Sequence, residues 1–139
     1  MIVIYHKPEC GTSRNVLKII EDAGYQPIII DYLTQGWTNS QLLGLFAAAN
    51  LTPREALRTS KSPAKELGLF DESVADETIL AAMLKFPVLV NRPIVCSPKG
   101  VKLCRPSEAV LALLENWPAG PYYKEDGQQI LDENNKRLC

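Results

Sequence analysis

Histidine and paired cysteine are what this sequence has least of. His6 is its one imidazole, and the four cysteines, Cys10, Cys96, Cys104 and Cys139, stand far apart with no CxxC pair. A zinc site needs several nitrogen or sulfur ligands at short, repeated spacings, so no metal site is expected. An excess of charge of either sign is also lacking. Fifteen basic residues meet 16 acidic ones, for a formal net charge of -1. No global field therefore draws the chain to nucleic acid or to a membrane surface, and any anion must be held by a local group of cations. Long apolar runs are missing too. The opening run Met1–Tyr5 stops at His6, Lys7, Pro8 and Glu9, short of a signal-peptide core, and nothing approaches a membrane-spanning helix. A cytoplasmic location is the expectation, and in a reducing compartment four scattered cysteines do not form a disulfide framework. What remains is an intracellular protein with one reactive thiol.

What is present has the proportions of a single soluble domain: 139 residues, 46% hydrophobic and 22% charged. Ile2–Tyr5 reads as a buried strand that ends at a Pro-containing turn. From Thr12 the period changes. Val16, Leu17, Ile19, Ile20 and Ala23 recur at helical spacing, and Gly24 closes the segment. Pro27–Tyr32, with three consecutive isoleucines, is a second strand, and strand-helix-strand implies a parallel crossover.

The middle of the chain reads as helical. Thr38 or Ser40 caps a helix carrying Leu42, Leu43, Leu45, Phe46 and Ala49, and a short amphipathic piece Pro53–Leu57 follows. Ser62-Pro63 opens another piece that stops at Leu67-Gly68, and Asp76 caps a helix through Lys85. Val88–Val95 and Val101–Cys104 are the arms of a hairpin turning at Ser97-Pro98-Lys99-Gly100. A last helix after Pro106-Ser107 carries Val110, Leu111, Leu113 and Leu114. The expected fold class is α/β, a thioredoxin-like β-α-β / β-β-α core with a helical insertion between the two halves. One domain spans residues 1–139, the insertion covers about residues 38–86, and about residues 118–139 form a weakly specified tail.

Cys10 lies between the first strand and the first helix, where a sulfur anion is favoured. Unpaired N–H groups and the positive dipole end of the helix stabilise a thiolate there. Gly11, Thr12 and Ser13 bring backbone and hydroxyl donors near, Arg14 adds a cation one turn along, and His6 supplies an imidazole across the turn. Glu9 acts in the opposite sense and is expected to point into solvent. The same donors cradle an oxyanion. Arg58, Arg92 and Arg105 are the candidate cations for it, because a planar guanidinium binds a tetrahedral oxyanion in a two-pronged manner. Pro93, opening the returning strand after Arg92, suits the cis proline that faces the cysteine in a thioredoxin-like order.

Three segments, YHKPECGTSRNVL, LVNRPIV (Leu89–Val95) and LCRPSEAV (Leu103–Val110), resemble the glutaredoxin-coupled arsenate reductases of the ArsC family. The likeness runs from Ile2 to about Lys124, and the family pattern His-x3-Cys-x3-Arg is matched by His6, Cys10 and Arg14. The resemblance implies a Cys10 nucleophile that attacks arsenate to give a thioarsenate. It also implies that Arg58, Arg92 and Arg105 bind the oxyanion and that His6 helps keep the thiol ionised. Glutathione as co-substrate and glutaredoxin as partner would then return the cysteine and release arsenite, with no bound cofactor. Lys7 and Glu9 depart from residues common in the family, inside the variable part of the motif.

Two other readings compete with it. One is a thiol reductase acting on another electrophile through Cys10. The other is an Spx-type regulator that binds RNA polymerase; such regulators usually carry a CxxC switch, and residue 13 here is serine. Cys96 and Cys104 read as packing residues, and Cys139 as a tail thiol.

Overall fold

Alternation sets the first strand. Ile2, Ile4 and His6 turn inward, and β1 spans Val3–His6 in the computed structural model, which describes residues 1–138. Cys139 lies outside the described residues. β1 stands inside a four-stranded sheet of order β2-β1-β3-β4, with β2 at Ile28–Asp31, β3 at Ile94–Ser97 and β4 at Gly100–Leu103. β1 and β3 run antiparallel, Ile4 opposite Val95 and Tyr5 opposite Ile94. β3 and β4 form the expected hairpin, Ile94 opposite Leu103 and Ser97 opposite Gly100. Gly100 has a φ of +142°, a backbone state that disfavours any side chain.

The chain divides into two compact units, one made of Met1–Ile30 with Arg92–Cys139 and the other of Asp31–Asn91. In the first unit, α1 (Gly11–Asp22) lays Val16, Ile19 and Ile20 against Ile2, Ile4 and Val95. Their i, i+3, i+4 spacing gives one apolar stripe. After Ala23, Gly24 takes a φ of +98°, and the Tyr25 N–H returns to the Ile20 carbonyl at 3.2 Å, closing the helix where the sequence reading put its end. The element order agrees with the thioredoxin-like α/β arrangement.

The last helix departs from expectation, being 3₁₀ over Ser107–Leu113 rather than α. Val110 and Leu113, and Leu111 and Leu114, are all buried, and a spacing of three matches three residues per turn. The strand expected from Val88 also begins late. Pro87–Leu89 is a 3₁₀ turn, and the ladder starts at Ile94, after Pro93, which has no N–H to give it. The stretch from residue 118 carries structure of its own, a hairpin of β5 (Tyr122–Tyr123) and β6 (Gln129–Leu131). Tyr122, Ile130 and Leu131 join the core, and the Tyr122 hydroxyl donates to Asp22 Oδ2 at 2.7 Å.

In the second unit, Asp31 caps a short α2 (Tyr32–Gln35), which the sequence reading did not include. α3 (Asn39–Ala49) starts at Thr38 in a reciprocal capping box with Gln41. α4 spans Asp76–Lys85, with Ala75 at the cap position one residue before the expected Asp76. That places Asp76 and Glu77 in the first turn, where the helix dipole favours them. Residues 53–56 and 63–68 form turns, and Leu57 makes an isolated bridge to Val90, in place of the helical pieces expected over 53–57 and 62–68. The intervening chain is held by Arg54, which donates to the carbonyls of Leu69, Asp71 and Val74 at 3.2, 3.2 and 2.7 Å. One guanidinium satisfies three carbonyls that a helix would have paired internally.

Candidate active site

The turn before α1 builds the site. The Cys10 N–H donates to the Lys7 carbonyl at 3.0 Å, closing a turn with Pro8 in its second position, where a fixed φ and a missing N–H cost nothing. Cys10 is then the N-cap of α1, with extended backbone, and its own carbonyl accepts the Arg14 N–H at 2.9 Å. Its sulfur occupies the position a capping serine or aspartate oxygen takes, within the field of the helix terminus.

Two arginines meet that sulfur from the strand side. Arg105 Nη1 stands 3.8 Å from Cys10 Sγ and also donates to the Arg92 carbonyl at 2.9 Å, so its position is fixed by the backbone of the other arginine. Arg92 itself is 1% exposed, a buried permanent charge. The balance on Cys10 follows from these neighbours. Burial pushes the thiol up. The Ser13 backbone N–H, the hydrogen bond and charge of Arg105, and a hydrogen bond from Arg92 together outweigh it, leaving Cys10 below the ordinary thiol range. Glu9 is exposed, as expected.

His6 is buried, with Nδ1 2.6 Å from Ser13 Oγ, and the same oxygen accepts the Lys7 N–H at 3.1 Å. The imidazole thus braces the first helical turn through Ser13. Gly11 and Thr12 occupy that turn, and Pro93 follows Arg92 across a cis peptide bond. Arg14 lies within the electrostatic reach of Cys10 and also has a carboxylate partner of its own. Its guanidinium is half exposed and forks onto Glu125, Nε at 3.1 Å and Nη2 at 2.8 Å, while Nη1 donates to the Pro8 carbonyl at 2.9 Å. Arg58 belongs to the second unit. There its Nε donates to the Ser60 carbonyl at 3.0 Å, Nη1 reaches Asn91 Oδ1 at 3.5 Å, and its N–H donates to the Leu89 carbonyl.

The first unit therefore gathers Cys10, His6, Ser13, Arg14, Arg92 and Arg105 around one helix start. It adds residues the sequence reading passed over: Glu125 on Arg14, Asn15, whose side-chain oxygen accepts the Glu125 N–H at 2.9 Å, and the ion pair of Lys124 with buried Glu108 at 2.9 Å. A signal for the hairpin was present, since Asp126-Gly127 stands between the apolar pairs Tyr122-Tyr123 and Ile130-Leu131. Cys96 and Cys104 are poorly ionised. Burial raises Cys96, and burial pushes the Cys104 thiol up to about 12 despite the Lys102 charge. Among the described residues, no group of three or more histidine, cysteine or acidic side chains is placed to hold a metal ion. No helix among them is long and apolar enough to cross a membrane.

A thiol held below its ordinary range and flanked by two fixed guanidinium groups suits nucleophilic attack on a small oxyanion. The family model described as "ArsC family" matches residues 5–113. The arsenate reductase ArsI2 of Synechocystis sp. is 67% identical over 138 residues, covering 99% of each chain. The arsenate reductase of Escherichia coli K12 is 45% identical over 137 residues, covering 99% of this chain and 97% of its own. Among solved structures, an arsenate reductase from Vibrio cholerae superposes with a TM-score of 0.77 at 36% identity, covering 81% of this chain and 97% of its own.

Proposed function

The chain belongs to the ArsC family, and on that premise we propose that it reduces arsenate to arsenite through a thioarsenate on Cys10. The observation that carries this reading is the 3.8 Å approach of Arg105 Nη1 to Cys10 Sγ, with the guanidinium tied to the Arg92 carbonyl. Arsenate is anionic and so is a thiolate, so attack requires cations that offset their repulsion. Arg92 and Arg105 supply two beside the sulfur, and Arg58 is the third oxyanion ligand of this reading.

The reaction divides into three transfers. The Cys10 thiolate displaces one arsenate oxygen, which leaves as water after taking up protons, and arsenic stays As(V). A glutathione thiolate then attacks the Cys10 sulfur. The S–As bond breaks with its electron pair on arsenic, arsenite departs as As(III), and a mixed disulfide remains. A glutaredoxin thiolate takes the glutathione, and Cys10 returns as thiolate. His6 and Ser13 hold the helix start under the sulfur, and Gly11 and Thr12 form the first turn that follows it. The external thiols account for an active site with a single cysteine.

The test is arsenate-dependent oxidation of glutathione with active glutaredoxin supplied. Turnover is expected, with loss in Cys10→Ser and, in Arg92→Ala and Arg105→Ala, a fall in kcat/KM for arsenate of about 100-fold. Absence of turnover in the unmodified protein would overturn the reading.

A further inference from the structure

The cation nearest the outer edge of the site is already engaged, and by a carboxylate. Arg14 Nη1 donates to the Pro8 carbonyl at 2.9 Å, which fastens the guanidinium to the turn carrying Cys10. Its remaining edge grips both oxygens of Glu125, at 3.1 and 2.8 Å, in the fork geometry that guanidinium and carboxylate share. The pair lies over Gly11, the residue after the nucleophile. A Cβ added to Gly11 would stand 3.6 Å from Arg14 Nη2 and 3.8 Å from Glu125 Oε1. A carboxylate is therefore bound one residue from the reacting sulfur.

That carboxylate is exchangeable. Both side chains of the pair are 46% exposed, so water and salt screen the contact, and an exposed pair of this kind is weak. Glu125 follows β5 at the start of the turn into β6, where its N–H donates to Asn15 Oδ1 at 2.9 Å. Arg14 is thus fixed by the backbone of the active-site turn, while its partner is a side chain at the protein surface. Arg92 and Arg105 serve the oxyanion from the buried side of the sulfur. The second reactant, a thiol, comes from solvent.

We infer that Arg14 is the docking point for a carboxylate of the incoming thiol, and that Glu125 holds the same fork until the thiol displaces it. The inference rests on the thiol-dependent reduction proposed above and adds to it the class of thiol preferred, a small one bearing a carboxylate, as glutathione does. Seated on Arg14, the thiol loses its proton to solvent and attacks Cys10 Sγ. The S–S bond forms, the S–As bond breaks with its pair on arsenic, and As(V) becomes As(III).

The experiment follows a single turnover. Full-length protein loaded with arsenate is mixed with glutathione or with uncharged 2-mercaptoethanol, and mixed-disulfide formation on Cys10 is timed by intact mass. The readout is the ratio of the two rate constants, glutathione over 2-mercaptoethanol. In Arg14→Gln the ratio falls about three- to fivefold, and in Glu125→Gln it rises about threefold, as expected for one exposed bidentate contact. Arg14→Lys keeps the charge but lacks the fork, and its ratio falls as well. A common factor on both thiols, leaving the ratio unchanged, would mean that the pair only supports the fold and would overturn the inference. A wild-type ratio in Arg14→Lys would reduce Arg14 to a general field and would overturn docking too. If Arg14→Gln does not fold, the Glu125→Gln ratio decides. If neither thiol forms a disulfide with the unmodified protein, the thiol-dependent function itself fails and the inference falls with it.

Discussion

Ser13 Oγ lies 2.6 Å from His6 Nδ1 and accepts the Lys7 N–H, so one hydroxyl joins the end of β1, the active-site turn and the first turn of α1. Both side chains are buried. Removing a hydroxyl from a buried polar pair costs about 1–3 kcal/mol, more than the bond contributes when made, because its partners lose a solvent-like environment. Ser13→Ala is therefore expected to lower the urea midpoint by that equivalent with an unchanged m-value. An unaltered midpoint would show that the hydroxyl does not brace the turn.

The charge on Cys10 gives a second expectation, with a definite sign. Burial raises this thiol, and the Ser13 N–H, Arg105 and Arg92 lower it further than burial raises it. Its folded pKa is thus below the unfolded one, so ionisation stabilises the fold. That contribution is complete above the unfolded thiol pKa, about 8.5, and disappears as pH falls through the lower, folded value. Relative to Cys10→Ala, the wild-type protein should gain stability as pH rises through that window and show no such gain at more acid pH. Arg105→Ala should narrow the window from below, because the midpoint of the thiolate absorbance near 240 nm moves up. A wild-type midpoint in the Arg105 variant would contradict this account.

The site loop was legible because its information is local. Pro8, Cys10 and Gly11 write a turn and a helix start within a few residues, and Arg92 and Arg105 each precede a proline at a strand boundary. The sheet followed from apolar runs, and α3 from the Thr38 cap and the apolar residues Leu42, Leu45 and Phe46. What escaped is non-local. Glu125 reaches Arg14 across 111 positions, and no period in the sequence encodes that contact. The 3₁₀ character of Ser107–Leu113 depends on two buried pairs spaced by three, a pattern an α-helix also tolerates. Residues 53–57 and 62–68 looked helical because Pro53, Ser62 and Gly68 are good boundary residues. The fork of Arg54, binding three distant carbonyls, stabilises turns there instead.

The cysteines should separate cleanly in a labelling experiment. Cys10 is partly exposed and held below the ordinary thiol range, whereas Cys104 is fully buried and pushed up to about 12. Alkylation by iodoacetamide near pH 7, read peptide by peptide, should mark Cys10 well before Cys104, with Cys96 between them because burial raises it less. In denaturant the three rates should converge. Native labelling of Cys104 as fast as Cys10 would refute the burial argument.

Lys124 and Glu108 form an ion pair at 2.9 Å with both side chains largely out of water, at 10% and 2% exposure. They join the C-terminal hairpin to the 3₁₀ helix that follows Arg105, so their separation should loosen that end of the first unit. Losing one member of such a pair costs about 3–5 kcal/mol, since the other charge stays in a poorly solvating site. Lys124→Met is therefore expected to destabilise strongly, visible as a fall in Tm and in the urea midpoint. The double variant Lys124→Met with Glu108→Leu should recover most of the loss, because two apolar groups of similar size need no compensation. Failure of the second change to restore stability would mean that Glu108 is held chiefly by other partners, and that the lysine acts through its packed methylene stem.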